Sequence, residues 1–467
     1  MERLSASIAQ SLEEDALRAA GGSMLARMWA EANDGGKGED ARGTVVHFLT
    51  SWAWEELHGR RWDRVDMIWR QLYAQASCLA ACILRANRAV ALNWLDKALI
   101  MGAPTHRGLV LAAATELQKA HSADDDRQRR SSWSLPQTPP PVPPEIPQYA
   151  GRTSIDVVPP PSLVAFVEIV KRATPVIIDG ALSHWPALST RAWSDLSYIR
   201  RLMGQRTVPI EVGASYTHRD WTQRMVTVNE FIDTFILGSE EQDEEEEHEK
   251  IDVQVRDKIE IQDEQDEIEG QEGQESTSDQ DESASHAQDS ESITTPLPKR
   301  RRIHPNKHPR GYLAQHNLFD QVPELLADIS IPDYCAVDTS DSDDDADAAE
   351  PVQLNAWFGP KGTVSPPHTD PQNNLLAQVV GYKYVRLFAP SERERLYPHD
   401  QQDMLSNTSR VDIRDPDSKL FPGYAEAAYW EAVIAPGQLL YIPRGWWHYV
   451  ESLSPSFSVS FWFGPRD

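Results

Sequence analysis

SPPHTDPQNNLLAQVVGYKYVRLFAP, residues 365–390, decides how the rest of the chain reads. Its second half holds two apolar, β-branched and aromatic runs on either side of Gly381, closed by Pro390. Runs punctuated in this way predict two strands turning at Gly381. The first half sets His368 and Asp370 two residues apart. On an extended strand such side chains share a face and can reach one metal. A third ligand candidate, His448, stands 78 positions beyond Asp370, in YIPRGWWHYV. The preceding LLYIP is strand-like and can lie beside the first strand in a barrel. Two imidazoles and one carboxylate suit Fe(II) and leave positions open for O2 and a co-substrate. H-x-D alone arises by chance in many proteins, so its neighbours carry the weight.

Lys383 follows the turn at Gly381, between Tyr382 and Tyr384. One role for a lysine among aromatic and β-branched residues is to run its stem along apolar surface. The other is to pair with a dicarboxylate co-substrate. Tyr216, Ser365 and Asn374 can add neutral hydrogen bonds to the same acid.

Outward from this stretch the β texture continues. TPVIIDG, TVPIEVG, PGQLLYIP and SFSVSFWFG are short strand-like runs ending at Gly or Pro. Many short strands with a helical front end predict a barrel or sandwich decorated by helices. Residues 1–120 predict helices. In RWDRVDMIWRQLYAQASCLAACIL the apolar Val65, Ile68, Trp69, Leu72, Ala76, Leu79 and Ile83 recur at helical spacing. In AVALNWLDKALIMGAP, Leu92, Leu95 and Leu99 form a stripe that stops at Gly102, with Pro104 beyond. No repeat period stands out, although stacked helical hairpins are compatible with the pattern. Residues 121–148 predict an extended proline-rich linker, and 149–467 the barrel domain.

Two acidic segments interrupt that domain. Residues 239–310 are rich in acids, Gln and Ser and predict a disordered insertion. Within them, 240–291 carry 23 acids against three bases, and 338–350 add seven acids and no base. Together they account for the whole formal charge of −27 among 467 residues. The acidity thus belongs to two loops, and the remainder is balanced. Lys299, Arg300, Arg301 and Arg302 close the insertion as a candidate nuclear-import signal, which predicts a nuclear protein with a cytoplasmic share. So short a basic run beside so much acid predicts no sequence-specific nucleic-acid binding. The N-terminus lacks a signal-peptide core, and no run reaches the roughly 18 apolar residues of a membrane span. Three cysteines, Cys78, Cys82 and Cys335, are too few for a disulfide framework. Cys78 and Cys82 sit in an apolar run and predict buried small hydrophobes.

From about residue 150 onward the chain resembles the JmjC-domain 2-oxoglutarate oxygenases. The resemblance rests on TVPIEVGASYT, TVNEFI, GYLAQHNLFDQVPEL, ISIPDYC, NAWFGPKGTVSPPHTDPQNN, YPHD, SNTSRVD, APGQLLYIPRGWWHYV and SFSVSFWF. It extends to WDRVDMIWRQLYA and ALIMGA in the helical region, and excludes the acidic segments and the proline linker. It implies an α+β chain: a double-stranded β-helix, jelly-roll and cupin-like, with flanking helices behind an all-α N-terminal domain. It puts His368, Asp370 and His448 at the iron-ligand positions. Lys383 takes the distal carboxylate of 2-oxoglutarate, with Tyr216, Ser365 and Asn374 as hydrogen-bonding neighbours. Asp179 and Trp357 fall near positions lining a pocket for a substrate arginine, and Trp462 at a pocket-wall aromatic. Pro367 is a local variation that leaves the ligands in place.

The chemistry implied is oxidation of a C–H bond by O2, coupled to conversion of 2-oxoglutarate into succinate and CO2. The protein supplies geometry and a dry pocket. A carboxylate with an aromatic suits a guanidinium, and no methyl-lysine cage can be assembled from the sequence. Hydroxylation of an arginyl side chain in a protein or peptide substrate is therefore the favoured expectation. Demethylation of histone lysine by N-methyl hydroxylation is the alternative. A non-catalytic chromatin module comes third, since it predicts a missing ligand or lysine. Histones or other chromatin proteins are the expected partners.

Overall fold

The computed structural model of the chain describes residues 1–8, 12–59, 64–102, 106–125, 133, 135–218, 220–238, 310–337, 351–400 and 405–465. The expected acidic insertion (apart from Arg310), the acidic loop 338–350 and the candidate import signal Lys299–Arg302 lie outside these residues, as does part of the proline linker.

Six helices open the chain: α1 (Glu2–Ile8), α2 (Glu14–Asn33), α3 (Glu39–His58), α4 (Met67–Ile83), α5 (Arg88–Met101) and α6 (Arg107–Asp125). From α2 onward each packs on the next, and α1 returns onto α4. α4 is buried on every side from Leu72 to Ile83, where its sequence is mostly apolar or small. Asp66 caps it by accepting from the Ile68 N–H at 3.1 Å, so Val65 lies just outside the helix. Cys78 and Cys82 are buried there, with both thiols pushed up chiefly by burial. α5 ends at Gly102, where a Cβ would lie 2.2 Å from that of Ala74, so only glycine allows α4 and α5 to approach this closely.

Fourteen strands follow among the described residues: β1 (Arg152–Ser154), β2 (Asp156–Val158), β3 (Val176–Ile178), β4 (Thr207–Val212), β5 (Thr222–Thr227), β6 (Gly311–His316), β7 (Gln353–Gly359), β8 (Val364–Thr369), β9 (Asn373–Val380), β10 (Lys383–Phe388), β11 (Tyr429–Ile434), β12 (Leu439–Ile442), β13 (Trp447–Ser452) and β14 (Ser456–Phe463). They form a five-stranded sheet, β1-β11-β10-β13-β8, and a nine-stranded sheet, β2-β3-β12-β9-β14-β7-β6-β4-β5. This is the expected double-stranded β-helix. Ile177, Leu376 and Leu440 of one sheet meet Val385, Leu387 and Ile434 of the other in the barrel core.

Both sheets are also covered outside. Phe166 of α7 (Leu163–Arg172) and Leu196 of α8 (Leu196–Met203) share a core with Leu375, Val459 and Phe461 on the nine-stranded sheet. Tyr384, Tyr429 and Tyr449 cover the five-stranded sheet together with Ile146 of the linker. Double coverage makes β9, β10 and β13 buried at every position, their polar residues included.

The turn at Gly381 differs from a hairpin. β9 and β10 lie in different sheets, so Gly381 is the corner where the chain crosses the barrel. Its φ is +72°, and a Cβ would sit 2.0 Å from the Pro455 carbonyl oxygen. Likewise LLYI pairs as β12 with β9 in the nine-stranded sheet, whereas His448 stands on the next strand, in the other sheet.

Candidate active site

β8 and β13 run antiparallel with His368 directly opposite His448, their rings 4.1 Å apart. Asp370 follows β8 by one residue. Its Oδ2 lies 3.5 Å from His448 Nε2, and its Oδ1 3.9 Å from His368 Nε2. Ligand atoms of the three residues all lie within 4.8 Å of one another.

The backbone sets the tautomers. His368 Nδ1 faces the Pro366 carbonyl at 2.8 Å, and His448 Nδ1 faces that of Trp446 at 3.1 Å. A ring nitrogen pointing at a carbonyl carries the proton, so each Nε2 lone pair turns toward Asp370. Burial, reinforced by His368, pushes His448 down to about 4, with Asp370 pulling the other way. Two imidazole Nε2 atoms and a carboxylate converging on one point fit Fe(II).

A cavity opens beside this triad. Lys383 sits at its floor, 1% exposed. Its Nζ donates to the Tyr312 hydroxyl at 3.1 Å and lies 5.5 Å from that ring's centroid. No carboxylate pairs with it among the described residues, and burial pushes it down to about 7. A buried ammonium held only by a phenol is short of an anion. Ser365 hydrogen-bonds Tyr312, and the Asn374 side-chain oxygen is buried without a partner. Leu376, Ile442 and Val450 supply apolar wall. One cation, neutral donors and an apolar wall next to the metal triad fit a small dicarboxylate such as 2-oxoglutarate.

His368, Asp370, His448, Lys383, Asn374, Ser365 and Trp357 thus line one cavity. The Trp357 indole N–H donates to Ser460 Oγ at 2.9 Å. Trp462 is two residues beyond Ser460 on β14 and so shares its face, with Asn374 as cross-strand partner. Its indole N–H is buried and unpartnered, but the residue does not line the cavity.

Two further expected residues also lie outside the cavity lining. Tyr216 packs edge-on to His368 at 6.4 Å and bonds Thr408 at 3.4 Å, on the metal side, and burial pushes its hydroxyl up to about 12. The tyrosine on Lys383 is Tyr312, carried by β6 beside β7 in the nine-stranded sheet. Asp179 follows β3, accepts from Gln438 at 3.1 Å, and is exposed, outside the cavity lining. Gln438 precedes Leu439, whereas the site end of β12 is Ile442, so Asp179 is at the far end of that strand.

The acid near the site is Glu211, cross-strand partner of Tyr312. Val208, Ile210 and Val212 point into the outer core, which turns Glu211 to the opposite face, that of Tyr312, although Glu211 does not itself line the cavity. Burial pushes its carboxyl up, and the neighbouring Trp221 indole pulls the other way. No Lys, Arg or His pairs with Glu211 among the described residues. Alternation in TVPIEVG already sets this acid on the face opposite the three apolar residues. That signal was available in the sequence.

Comparison with known proteins agrees with this geometry. A model described as cupin-like domain matches residues 161–467, and one described as KDM8-like, N-terminal ARM repeats matches residues 7–131. The helices therefore belong to a repeat type that shows no obvious period in the sequence. Lysine-specific demethylase 8 of Danio rerio is 34% identical, over 90% of this chain and 86% of the relative. Lysine-specific demethylase JMJ30 of Arabidopsis thaliana is 32% identical, over 96% and 90%. Jumonji C domain-containing protein 5 of Drosophila melanogaster is 31% identical, over 92% and 88%. The match runs through both folded regions, and the chain belongs to the cupin-like JmjC family of 2-oxoglutarate-dependent dioxygenases.

Proposed function

We propose that this chain oxidises a cationic side chain of a protein substrate. His368, Asp370 and His448 are the iron ligands in this reading. Lys383, Tyr312, Ser365 and Asn374 take the distal carboxylate of 2-oxoglutarate. The bound Fe(II) and 2-oxoglutarate supply the oxidation of a C–H bond, with succinate and CO2 as co-products. The chain's own part is to hold the two histidines as Nε2 ligands, to neutralise the dicarboxylate, and to exclude water with Leu376, Ile442 and Val450.

The observation that carries the cationic substrate is Glu211: a half-buried carboxylate without a basic partner, beside Trp221 and next to Tyr312. Tyr312 and Trp357, 6.0 Å apart, extend the aromatic surface. Aromatics with one carboxylate suit an alkylated ammonium or a guanidinium.

Between these, N-methyl-lysine comes first, because two of the relatives above are named lysine-specific demethylases. Arginyl hydroxylation is the second reading, favoured by a carboxylate that can meet a planar guanidinium in the bidentate manner. Its original support from Asp179 falls away with that residue's position. The test is mass spectrometry on methyl-lysine and arginine peptides with Fe(II), 2-oxoglutarate and ascorbate under air. Loss of a methyl with release of formaldehyde supports demethylation. Gain of one oxygen on arginine supports the second reading. Neither change, or either one persisting in His368→Ala, removes the proposal.

A further inference from the structure

A buried ionic junction joins the helical repeats to the barrel. Asp96 of α5 and Arg206, just ahead of β4, are 0% and 1% exposed at their side chains. Arg206 Nε and one terminal nitrogen donate to Asp96 Oδ1 at 2.8 and 2.7 Å. Asp96 Oδ2 accepts from the Thr207 N–H at 2.6 Å. The same terminal nitrogen of Arg206 donates to the Gln321 carbonyl at 2.8 Å. The Gln321 amide donates to the Thr207 carbonyl at 2.7 Å, and its oxygen meets His316 Nε2 at 2.7 Å. The helical region thus supplies the carboxylate that organises a network made otherwise of barrel residues.

The network holds the start of β4 and the end of β6. Those are the strands that carry Tyr312, which lines the cavity, and its cross-strand partner Glu211. β6 is weakly laddered. It pairs with β4 at Glu211–Tyr312 and Val212–Gly311, with the Gly213 N–H donating to the Arg310 carbonyl at 3.0 Å just beyond, and its register against β7 breaks between Leu313 and His316. Gln315, inside that break, has φ +51°, a strained conformation for a residue with a side chain. A short strand with a broken register depends on its ends for position, and His316 is one end.

We infer that Asp96 is a positioning residue: through Arg206, Gln321 and His316 it holds β6, and with it the Tyr312 hydroxyl that orients Lys383 toward the co-substrate. The helical repeats are then a working part of the dioxygenase site in addition to any recruiting role. The inference rests on the assignment of Lys383 to 2-oxoglutarate.

The test uses the full chain and the variants Asp96→Asn and Lys383→Ala. Binding of 2-oxoglutarate to Mn(II)-loaded protein is measured by calorimetry without O2, and amide exchange of 311–316 is followed in the metal-free protein. Asp96→Asn is expected to weaken 2-oxoglutarate about tenfold and to speed exchange in 311–316. Mn(II) affinity and the protection of β8 and β13 are expected to stay unchanged. Unchanged binding and exchange in β6 would overturn the inference, and so would a uniform loosening that includes the metal strands, which is what a merely structural role predicts. If Asp96→Asn does not fold, Asp96→Leu/Arg206→Met decides by the same readouts, since an apolar pair can replace a buried ion pair without loss of fold. Wild-type affinity in Lys383→Ala would refute the pocket assignment. Weakening there with none in the Asp96 variant would refute the positioning role alone.

Discussion

His368 and His448 are cross-strand partners, and their rings lie closer to each other, at 4.1 Å, than either does to any other described aromatic ring. Two residues 80 positions apart thus become one bidentate unit, because β8 and β13 are neighbours in the smaller sheet. Asp370 completes the set from one residue past the strand end, where its carbonyl accepts from the Gly445 N–H at 3.1 Å and its carboxylate reaches both rings.

Removing either half of this unit should remove the metal. His368→Ala or Asp370→Ala is expected to weaken Mn(II) binding by about a hundredfold or more while leaving the fold intact. Calorimetry with Mn(II) and circular dichroism check the two halves of this statement, and wild-type metal affinity in both variants would sink the ligand assignment.

Lys383 governs the co-substrate. Lys383→Ala should cost about a hundredfold in 2-oxoglutarate affinity, because it leaves the bound carboxylate buried without its counter-charge. Affinity should also depend on pH. The ligand-free ammonium is pushed down to about 7 by burial, while a bound anion favours the charged form. Binding above pH 7 must therefore take up a proton, and affinity falls with rising pH by up to about tenfold per unit. A flat profile between pH 6 and 9 would contradict this.

The same lysine shapes stability in the ligand-free protein. Its folded pKa lies below its unfolded value, so the unfolded chain holds more protons between about pH 7 and about pH 10. Stability should rise with pH across that window, and the cost of the buried charge is fully present below it. Denaturant unfolding of wild type and Lys383→Met should show this slope in the first and its loss in the second.

Glu211→Gln should separate substrate from co-substrate. With the carboxylate gone, kcat/KM for a cationic peptide is expected to fall by about tenfold or more, with 2-oxoglutarate affinity unchanged. Equal turnover of charged and neutralised peptides by wild type would argue against a role for Glu211 in recognition.

Gly381→Ala tests the corner of the barrel. The new Cβ would meet the Pro455 carbonyl, and φ of +72° strains any residue with a side chain. A loss of about 2–4 kcal/mol in unfolding free energy is expected, read by chemical denaturation.

How much of this was legible in the chain follows from what a linear pattern encodes. A strand's period of two is local, so H-x-D in 365–374 was enough to put His368 and Asp370 on one face. The same period in TVPIEVG turned Glu211 away from the core side. The largely apolar runs on either side of Gly381 announced two strands, though not their burial on both faces, and the stripe in α5 with its glycine stop announced that helix and its end. Which strands then lie side by side is a property of the closed sheets. It made Gly381 a corner between sheets in place of a hairpin. It put Tyr312 on Lys383 and left Tyr216 on the metal side. It carried Asp179 to the far end of β12. It brought Asp96 of the repeats onto Arg206, 110 positions away. The sequence by itself determined the ligand types, their faces and the elements that bear them, because those depend on neighbours along the chain. Only the tertiary structure decided which tyrosine and which acid stand at the site, because cross-strand partners are chosen by sheet order and register, and these are settled by burying both faces of the barrel at once.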